Sequence, residues 1–361
     1  MAVIETIRLR LRADAAAGAF VEANARIEAE YLPAQQGYNP GSRVTTLDED
    51  GEWTISLRWD SAREADASME SFMDAPATQD FLSLVESSTM TIERTVEIAS
   101  AAAPGLANAQ RLYLEGIRDG DVRRAVEAYT GDRYTQHSTG VRDGVEGFVE
   151  FFEPFVERNP VRDIELVRSL VDGRFVFIQA AQSLNNGEAR WVTTDLFDTD
   201  GNGKIVEHWD VIRELGGTNP GGHTQVDGAV EVTDLHLTEA NKDVVWRLLT
   251  EAFAETPTAG FDEFISDEVY INHNPDAPDG LAALIEMDRS GRARGEALYY
   301  EQVHRIIGQG NFVVSFAHQI WNGIDYAAFD IFRLENGLIV EHWDNVETVP
   351  DPSENLNSGK F

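Results

Sequence analysis

The 361-residue chain contains no cysteine. That excludes disulfides, thiolate nucleophiles and cysteine metal sites, and it suits a reducing, cytoplasmic setting. Positive charge is scarce. There are 29 Lys and Arg against 63 Asp and Glu, a formal net charge of −34, and only three of the bases are lysines: Lys204, Lys242 and Lys360. So negative a field repels nucleic acid and anionic membrane, and neither is expected as a partner. Two origins of the acidity stay open. One is a high-salt cytoplasm, where screening removes the self-repulsion. The other is a high-GC genome that favours Ala, Arg, Asp and Glu. No apolar run approaches a membrane span, and the start Met1-Ala2-Val3-Ile4-Glu5 lacks a signal-peptide pattern. The hydrophobic fraction of 42% is ordinary for a globular protein.

A repeat organises what is there. Ile205-Val206-Glu207-His208-Trp209-Asp210 returns letter for letter as Ile339-Val340-Glu341-His342-Trp343-Asp344. Upstream, Asp195-Leu196-Phe197 matches Asp330-Ile331-Phe332, and Tyr134-Thr135-Gln136-His137 matches Tyr270-Ile271-Asn272-His273. Asp143-Gly144 and Asp279-Gly280 each follow their His by six residues. The offset is 136 at the first His, 135 at the Asp and 134 at His-Trp-Asp, a drift too small for anything but two copies of one domain. The expected domains are residues 1–99, 106–216 and 236–349. Between them lie the small-residue linker Ser100 to Gly105 and the Gly-rich linker Leu215 to Gly222. The polar Asp351 to Phe361 stretch is expected to be disordered.

The first hundred residues predict β-α-β-β-α-β. Ile4 to Arg12 alternates as a strand, Ala13 to Tyr31 carries a helical stripe, and Asp48-Glu49-Asp50-Gly51 turns a hairpin. That order is ferredoxin-like. With Trp59-Asp60-Ser61 opening the second helix and Phe72-Met73-Asp74-Ala75-Pro76 closing it, the segment resembles the dimeric α/β-barrel family of antibiotic-biosynthesis monooxygenases. The resemblance implies a cofactor-free oxygenase of polyketide quinones. The segment has no His to act as a base, which points instead to a structural or dimerising role, with a homodimer as the partner.

Each repeat reads as helices followed by long alternating strands, an α+β pattern in which a curved sheet wraps on helices. On the quoted motifs, both copies resemble the SnoaL-like polyketide cyclases of the nuclear-transport-factor-2-like cone fold. The resemblance implies an internal pseudo-dimer. It also implies an aldol closure that needs no cofactor or metal, with Asp195 and Asp330 as acid/base residues.

Strand alternation puts Trp191, Thr193, Asp195 and Phe197 on one face, and Tyr326, Ala328, Asp330 and Phe332 on the matching one. A carboxyl among apolar neighbours is paired or has a raised pKa, which suits general acid/base work. His208 and Asp210, like His342 and Asp344, share a strand face two residues apart. His137 and His273 are expected where the chain enters the cone. His318, on the Phe312-Val314-Phe316 face, is expected to make the second pocket the more polar. His137, His208, His273 and His342 would orient substrate or carry protons; the competing reading is a buried, hydrogen-bonded structural His for His208 and His342, and a helix-capping or turn role for His137 and His273. His137, Asp195 and His208 hold the donors of a facial metal triad, but their spacing is not diagnostic. The expected ligand is a small, largely apolar carbonyl compound. Isomerisation, dehydration, or ligand binding without catalysis remain open on the same scaffold.

Overall fold

The computed structural model describes residues 3–96 and 104–361. The chain forms two compact units that divide between residues 99 and 100. The last strand expected in the first segment, Thr89 to Ile98, ends in residues 97–98, and these and residues 100–103 of the first expected linker lie outside the described residues.

The first unit runs β1 (Val3–Leu9), α1 (Ala17–Arg26), β2 (Val44–Leu47), β3 (Trp53–Trp59), α2 (Ala62–Phe72), α3 (Gln79–Leu84) and β4 (Thr91–Val96). Its sheet is antiparallel in the order β2-β3-β1-β4. Residues of β3 alternate buried and half-buried, so Trp53, Ile55, Leu57 and Trp59 meet Phe20, Ile27 and Phe81 in one core. Ser61 caps α2: its hydroxyl accepts from the Glu64 backbone N–H and donates to the Glu64 carboxylate at 2.9 Å.

The second unit opens with α4 (Pro104–Arg111), extended by a π-helical turn at Leu112–Arg118. Then come α5 (Val122–Tyr129), β5 (Thr130–Gln136) and α6 (Gly144–Arg158), followed by strands β6 (Arg162–Asp172), β7 (Phe175–Leu184), β8 (Ala189–Thr199) and β9 (Ile205–Glu214). The second repeat follows suit with α7 (Thr238–Arg247), its π turn Leu248–Ala252, β10 (Ile271–Asn272), α8 (Leu281–Arg294) and β11 (Leu298–Gln309). It closes with β12 (Phe312–Trp321), β13 (Ile324–Glu335) and β14 (Leu338–Thr348). The sheets share one order: β5-β9-β8-β7-β6 and β10-β14-β13-β12-β11. In each, a short parallel strand joins an antiparallel meander. Only a short 3-10 turn, Phe261–Glu263, lies between the π turn and β10, where the first repeat has α5.

Each sheet uses its two faces differently. One face packs on its own helices. The other joins the opposite sheet in a shared core, where Phe177, Leu196 and Trp209 meet Phe316, Phe329, Ile331 and Trp343. The Phe177 and Phe329 rings lie 5.8 Å apart. Polar pins cross the same contact. Asn345 Nδ2 donates to the Val211 carbonyl at 2.7 Å, and the buried Lys242 ammonium meets Asp172 at 2.8 Å.

Neither segment beyond the last strand of a repeat behaves as a loose linker. Residues 215–234 are ordered against the second repeat. There Asn219 Nδ2 donates to the Asn272 carbonyl at 2.5 Å and the Ala277 carbonyl at 3.1 Å. Gly228, at φ +88°, fits so closely that a Cβ would lie 2.8 Å from Trp343 and 2.9 Å from His273. Arg168 of β6, 3% exposed, donates to the Ala229 and Asp227 carbonyls and lies 4.0 Å over the Trp343 ring. The Asp351 to Phe361 stretch, expected to be disordered, is instead packed on the first repeat. Its polar composition misled because its Lys360 is paired and buried, at 4% exposure. Among the described residues, no helix is long and apolar enough to cross a membrane.

Candidate active site in the first repeat

The helix-side face of the first sheet does not close on its helices. It leaves a cavity of about 260 Å3. Leu112, Tyr113 and Ile117 of the π turn form one wall, and Phe148, Phe151, Phe152 and Phe155 of α6 form another. The floor is the face predicted from alternation: Trp191, Thr193, Asp195 and Phe197 of β8, with His208, Asp210 and Ile212 of β9. The phenylalanines recur at three- and four-residue spacing, which puts all four on one side of the helix.

Asp195 is 3% exposed and the centre of the polar set. Its Oδ1 meets His208 Nε2 at 2.9 Å, and its Oδ2 accepts from the Tyr113 hydroxyl at 2.5 Å. His208 Nδ1 lies 2.8 Å from Gln136 Oε1, which holds the ring with Nε2 toward the carboxyl. The His208 ring stacks on Phe197. Register produces this set: Asp195 pairs with Asp210 across β8 and β9, while Gln136 pairs with His208 across the short parallel contact.

Burial raises the Asp195 pKa. The adjacent Asp210 adds to the rise, and the hydrogen bonds from His208 and Tyr113 oppose it. Burial also pushes Asp210 upward, but there the Lys360 ammonium, 3.0 Å from Oδ1, and His208 prevail, so its pKa is lowered. Burial and the Asp195 charge keep the Tyr113 hydroxyl protonated. The site therefore holds two neighbouring carboxyls whose environments push their pKa values apart.

The second repeat arranges the same motif around Asp330. His342 Nε2 lies 3.1 Å from Oδ1, and the Tyr300 hydroxyl donates to Oδ2 at 3.0 Å. That tyrosine comes from β11. Leu249, at the position matching Tyr113, is buried in the helix-side core. The α8 helix offers Met287, Asp288 and Gly291 where α6 offers Phe151, Phe152 and Phe155, and Asp288 is tied to Arg292 at 2.8 Å. Asp344 has no lysine. Asn274 Nδ2 donates to its Oδ2 at 2.6 Å, its Oδ1 has no hydrogen-bond partner among the described residues, and burial raises its pKa. Burial opposes the proton on His342, but Asp330 and Asp344 outweigh it and raise the pKa.

Three expected site residues lie elsewhere. The His137 and His273 side chains are on the opposite face of their sheets from Asp195 and Asp330. His137 Nε2 meets Glu207 at 3.0 Å and its ring stacks on Trp209; His273 repeats this with Glu341 at 3.0 Å and Trp343. They continue strands β5 and β10, where alternation gives Gln136 and Asn272 the cavity side and His the back. His318 also faces away. Ser315, not an even-numbered neighbour, pairs with Asp330, so the face of Phe316 and His318 is the intersheet face. There His318 meets Asp325 at 2.7 Å. It does not make the second helix-side face more polar.

Sequence reading missed Tyr113, Gln136 and Lys360. Gln136 was legible as the residue preceding the His, by strand parity. The other two come from remote elements.

Two groups among the described residues have donor atoms within 4.8 Å of one another: Asp195, His208 and Asp210, and His223, Asp227 and His273. In the first, both ring nitrogens of His208 are already engaged. In the second, His273 Nδ1 faces the Thr224 carbonyl at 2.8 Å. The triad of His137, Asp195 and His208 does not form, because His137 is across the sheet.

Residues 109–208, which span this site, match the SnoaL-like domain family model. The chain is similar to solved structures described as polyketide cyclases. One, described as a polyketide cyclase from Bacillus cereus ATCC 10987, is 19% identical over 30% of this chain and 74% of that one, with a TM-score of 0.28. Another, from Jannaschia sp. CCS1, is 19% identical over 32% and 91%, with a TM-score of 0.28. An antibiotic-biosynthesis monooxygenase-type structure from Chloroflexus aurantiacus J-10-fl is 19% identical over 28% and 96%, with a TM-score of 0.22. No curated protein matches the chain. The first repeat thus contains a SnoaL-like domain of mixed α+β structure.

Proposed function

We propose that the first repeat is a cofactor-independent acid/base enzyme of the polyketide-cyclase type, acting on a small, largely apolar carbonyl compound. One observation carries the reading: a buried carboxyl with a raised pKa, Asp195, opens onto an aromatic-walled cavity of about 260 Å3. An apolar pocket with few convergent polar groups is the usual form of a small-molecule site.

The chemistry is a proton cycle. Ionised Asp195 takes a proton from the carbon beside a carbonyl, leaving an enolate. The enolate carbon attacks a second carbonyl of the same molecule and forms the ring bond. Asp195 then returns its proton to the new alkoxide. His208 orients the carboxyl, and the Tyr113 hydroxyl, kept protonated, can shift its hydrogen bond from Asp195 to a developing oxyanion. The same proton transfer, without bond formation, supports isomerisation or dehydration.

The simplest test is deuterium exchange at the α-carbon of 1-tetralone in D2O, followed by NMR. The account expects protein-dependent exchange that Asp195→Asn removes. Exchange at the background rate, with the ketone still bound, would favour the rival reading of a non-catalytic binding protein. The pairing of Asp195 with both His208 and Tyr113 supports that rival, since it also satisfies a structural carboxyl.

For the rest of the chain, we assign residues 1–99 to a ferredoxin-like domain that pairs two chains, and residues 106–216 and 236–349 to the two SnoaL-like copies of an internal pseudo-dimer. The β2-β3-β1-β4 order and the matched five-stranded sheets support these assignments. Sedimentation of the full chain tests the pairing: a monomer at micromolar concentration contradicts it.

A further inference from the structure

The segments that follow the last strand of each repeat cross to the other repeat and do equivalent jobs. After β9, Thr224 presents its carbonyl to His273 Nδ1 at 2.8 Å. After β14, Gly359 presents its carbonyl to His137 Nδ1 at 2.7 Å. Each strap also clamps the loop that follows its His with an Asn amide. Asn219 donates to the Asn274 and Ala277 carbonyls, and Asn357 to the Ser138 and Val141 carbonyls, at 2.7 and 2.9 Å in the latter pair. The straps differ at the next residue. The first delivers Gln225, whose side chain turns back to the Gly216 N–H and the Glu214 carbonyl. The second delivers Lys360, whose ammonium enters the first repeat between Asp210 and Glu347.

We propose that Lys360, carried across by the second strap, is a positioning residue of the first repeat's site: it keeps Asp210 ionised, so that a proton taken up by the Asp195–Asp210 pair goes to Asp195. The inference rests on the acid/base reading of that site. Two carboxyls paired across adjacent strands and buried together cannot both ionise without a counter-charge. Lys360 supplies one, and it does so at only one of the two carboxyls. Every charged or titratable group around Asp210 fits this. His208 and Asp195 face it from β9 and β8, the Tyr113 hydroxyl from the π turn, the Tyr134 hydroxyl from β5, and Glu347 from β14 shares the ammonium. Ser138 adds a hydrogen bond. Burial opposes the Lys360 charge, but Asp210 and Glu347 outweigh it and raise its pKa. The second repeat, with Gln225 in the matching place, is the built-in comparison: there the counterpart Asp344 has a raised pKa.

The test is a carboxyl 13C NMR titration of the full chain, with Asp195→Asn and Asp210→Asn used for assignment. In the wild type, Asp210 is expected to titrate below its ordinary value of 3.8. Lys360→Gln places in the second strap the residue the first strap already carries. It is expected to raise the Asp210 midpoint by about one to three units and to move that of Asp195 with it. Lys360→Arg restores the charge and should bring both back. Asn357→Ala, which loosens the strap but keeps the lysine, should move neither. An Asp210 midpoint at or above 3.8 in the wild type overturns the proposal with no variant needed. So does a midpoint indifferent to Lys360→Gln, or to Lys360→Met should the glutamine variant not fold. The titration uses no substrate, so absence of ketone exchange would sink the enzymatic reading and leave this result standing.

Discussion

The two repeats share a six-residue identity and a sheet order, yet only one frames its carboxyl with aromatic walls and a lysine. Both place Asp, His and Tyr in the same contact, but the tyrosine reaches Asp195 from the π turn and Asp330 from β11. Leu249 stands where Tyr113 does, and α8 carries Asp288 and Gly291 where α6 carries phenylalanine. The lesson is that the motif on the strands is what the two repeats share. What distinguishes the sites lies on the helices and straps.

The sharpest way to break this comparison is to remove each strand carboxyl in turn. Asp195→Asn is expected to lower ketone exchange by about 10²- to 10⁴-fold, the usual worth of a general base. Asp330→Asn should leave it within a factor of a few. Equal losses would mean that both repeats work. Next in size is the coupling between repeats. Lys242→Met removes the Lys242 ammonium from the buried Asp172 carboxylate, a loss of about 1–3 kcal/mol. If the repeats form one cooperative unit, urea unfolding read by tryptophan fluorescence stays a single transition at a lower midpoint. Two separated transitions would show the repeats to be independent.

Tyr113→Phe removes a donor from Asp195 and should raise its midpoint further, at a cost of about 1 kcal/mol or a little more in stability. Tyr300→Phe should leave the Asp195 signal unchanged. The smallest effect separates the repeats by pH. His342 has a pKa raised above its ordinary 6.5, so the folded state holds that proton more tightly than the unfolded chain does. Its contribution to stability is complete below 6.5 and is lost as pH rises through the raised value. His342→Gln should flatten that decline; an unchanged pH profile of stability would contradict the assignment.

Much of this was legible in the sequence because strands alternate. The repeat follows from its letter-for-letter motifs, and the long strands and the shared face of Asp195, Thr193 and Phe197 follow from period-two patterning. His208 and Asp210 follow from the same rule. Where alternation needed a phase, it failed. His318 was placed by its apolar neighbours, but those neighbours belong to the intersheet core, and only strand register says which face is which. His137 and His273 fell to the back for the same reason. Lys360 was beyond reach: a lysine in a polar segment reads as solvated, and only the crossing of the strap brings it to a carboxylate 150 positions away. Tyr113 and Tyr300 show the same limit, since contacts between helix and sheet are set by packing and carry no periodic signal.

The most direct test of the account is the carboxyl titration of the wild-type chain with and without 1-tetralone. The account predicts that Asp195 titrates above its ordinary 3.8 and that the ketone moves its signal while leaving that of Asp330 in place. An Asp195 midpoint at or below 3.8, indifferent to the ketone, would contradict the assignment of the first repeat as the site.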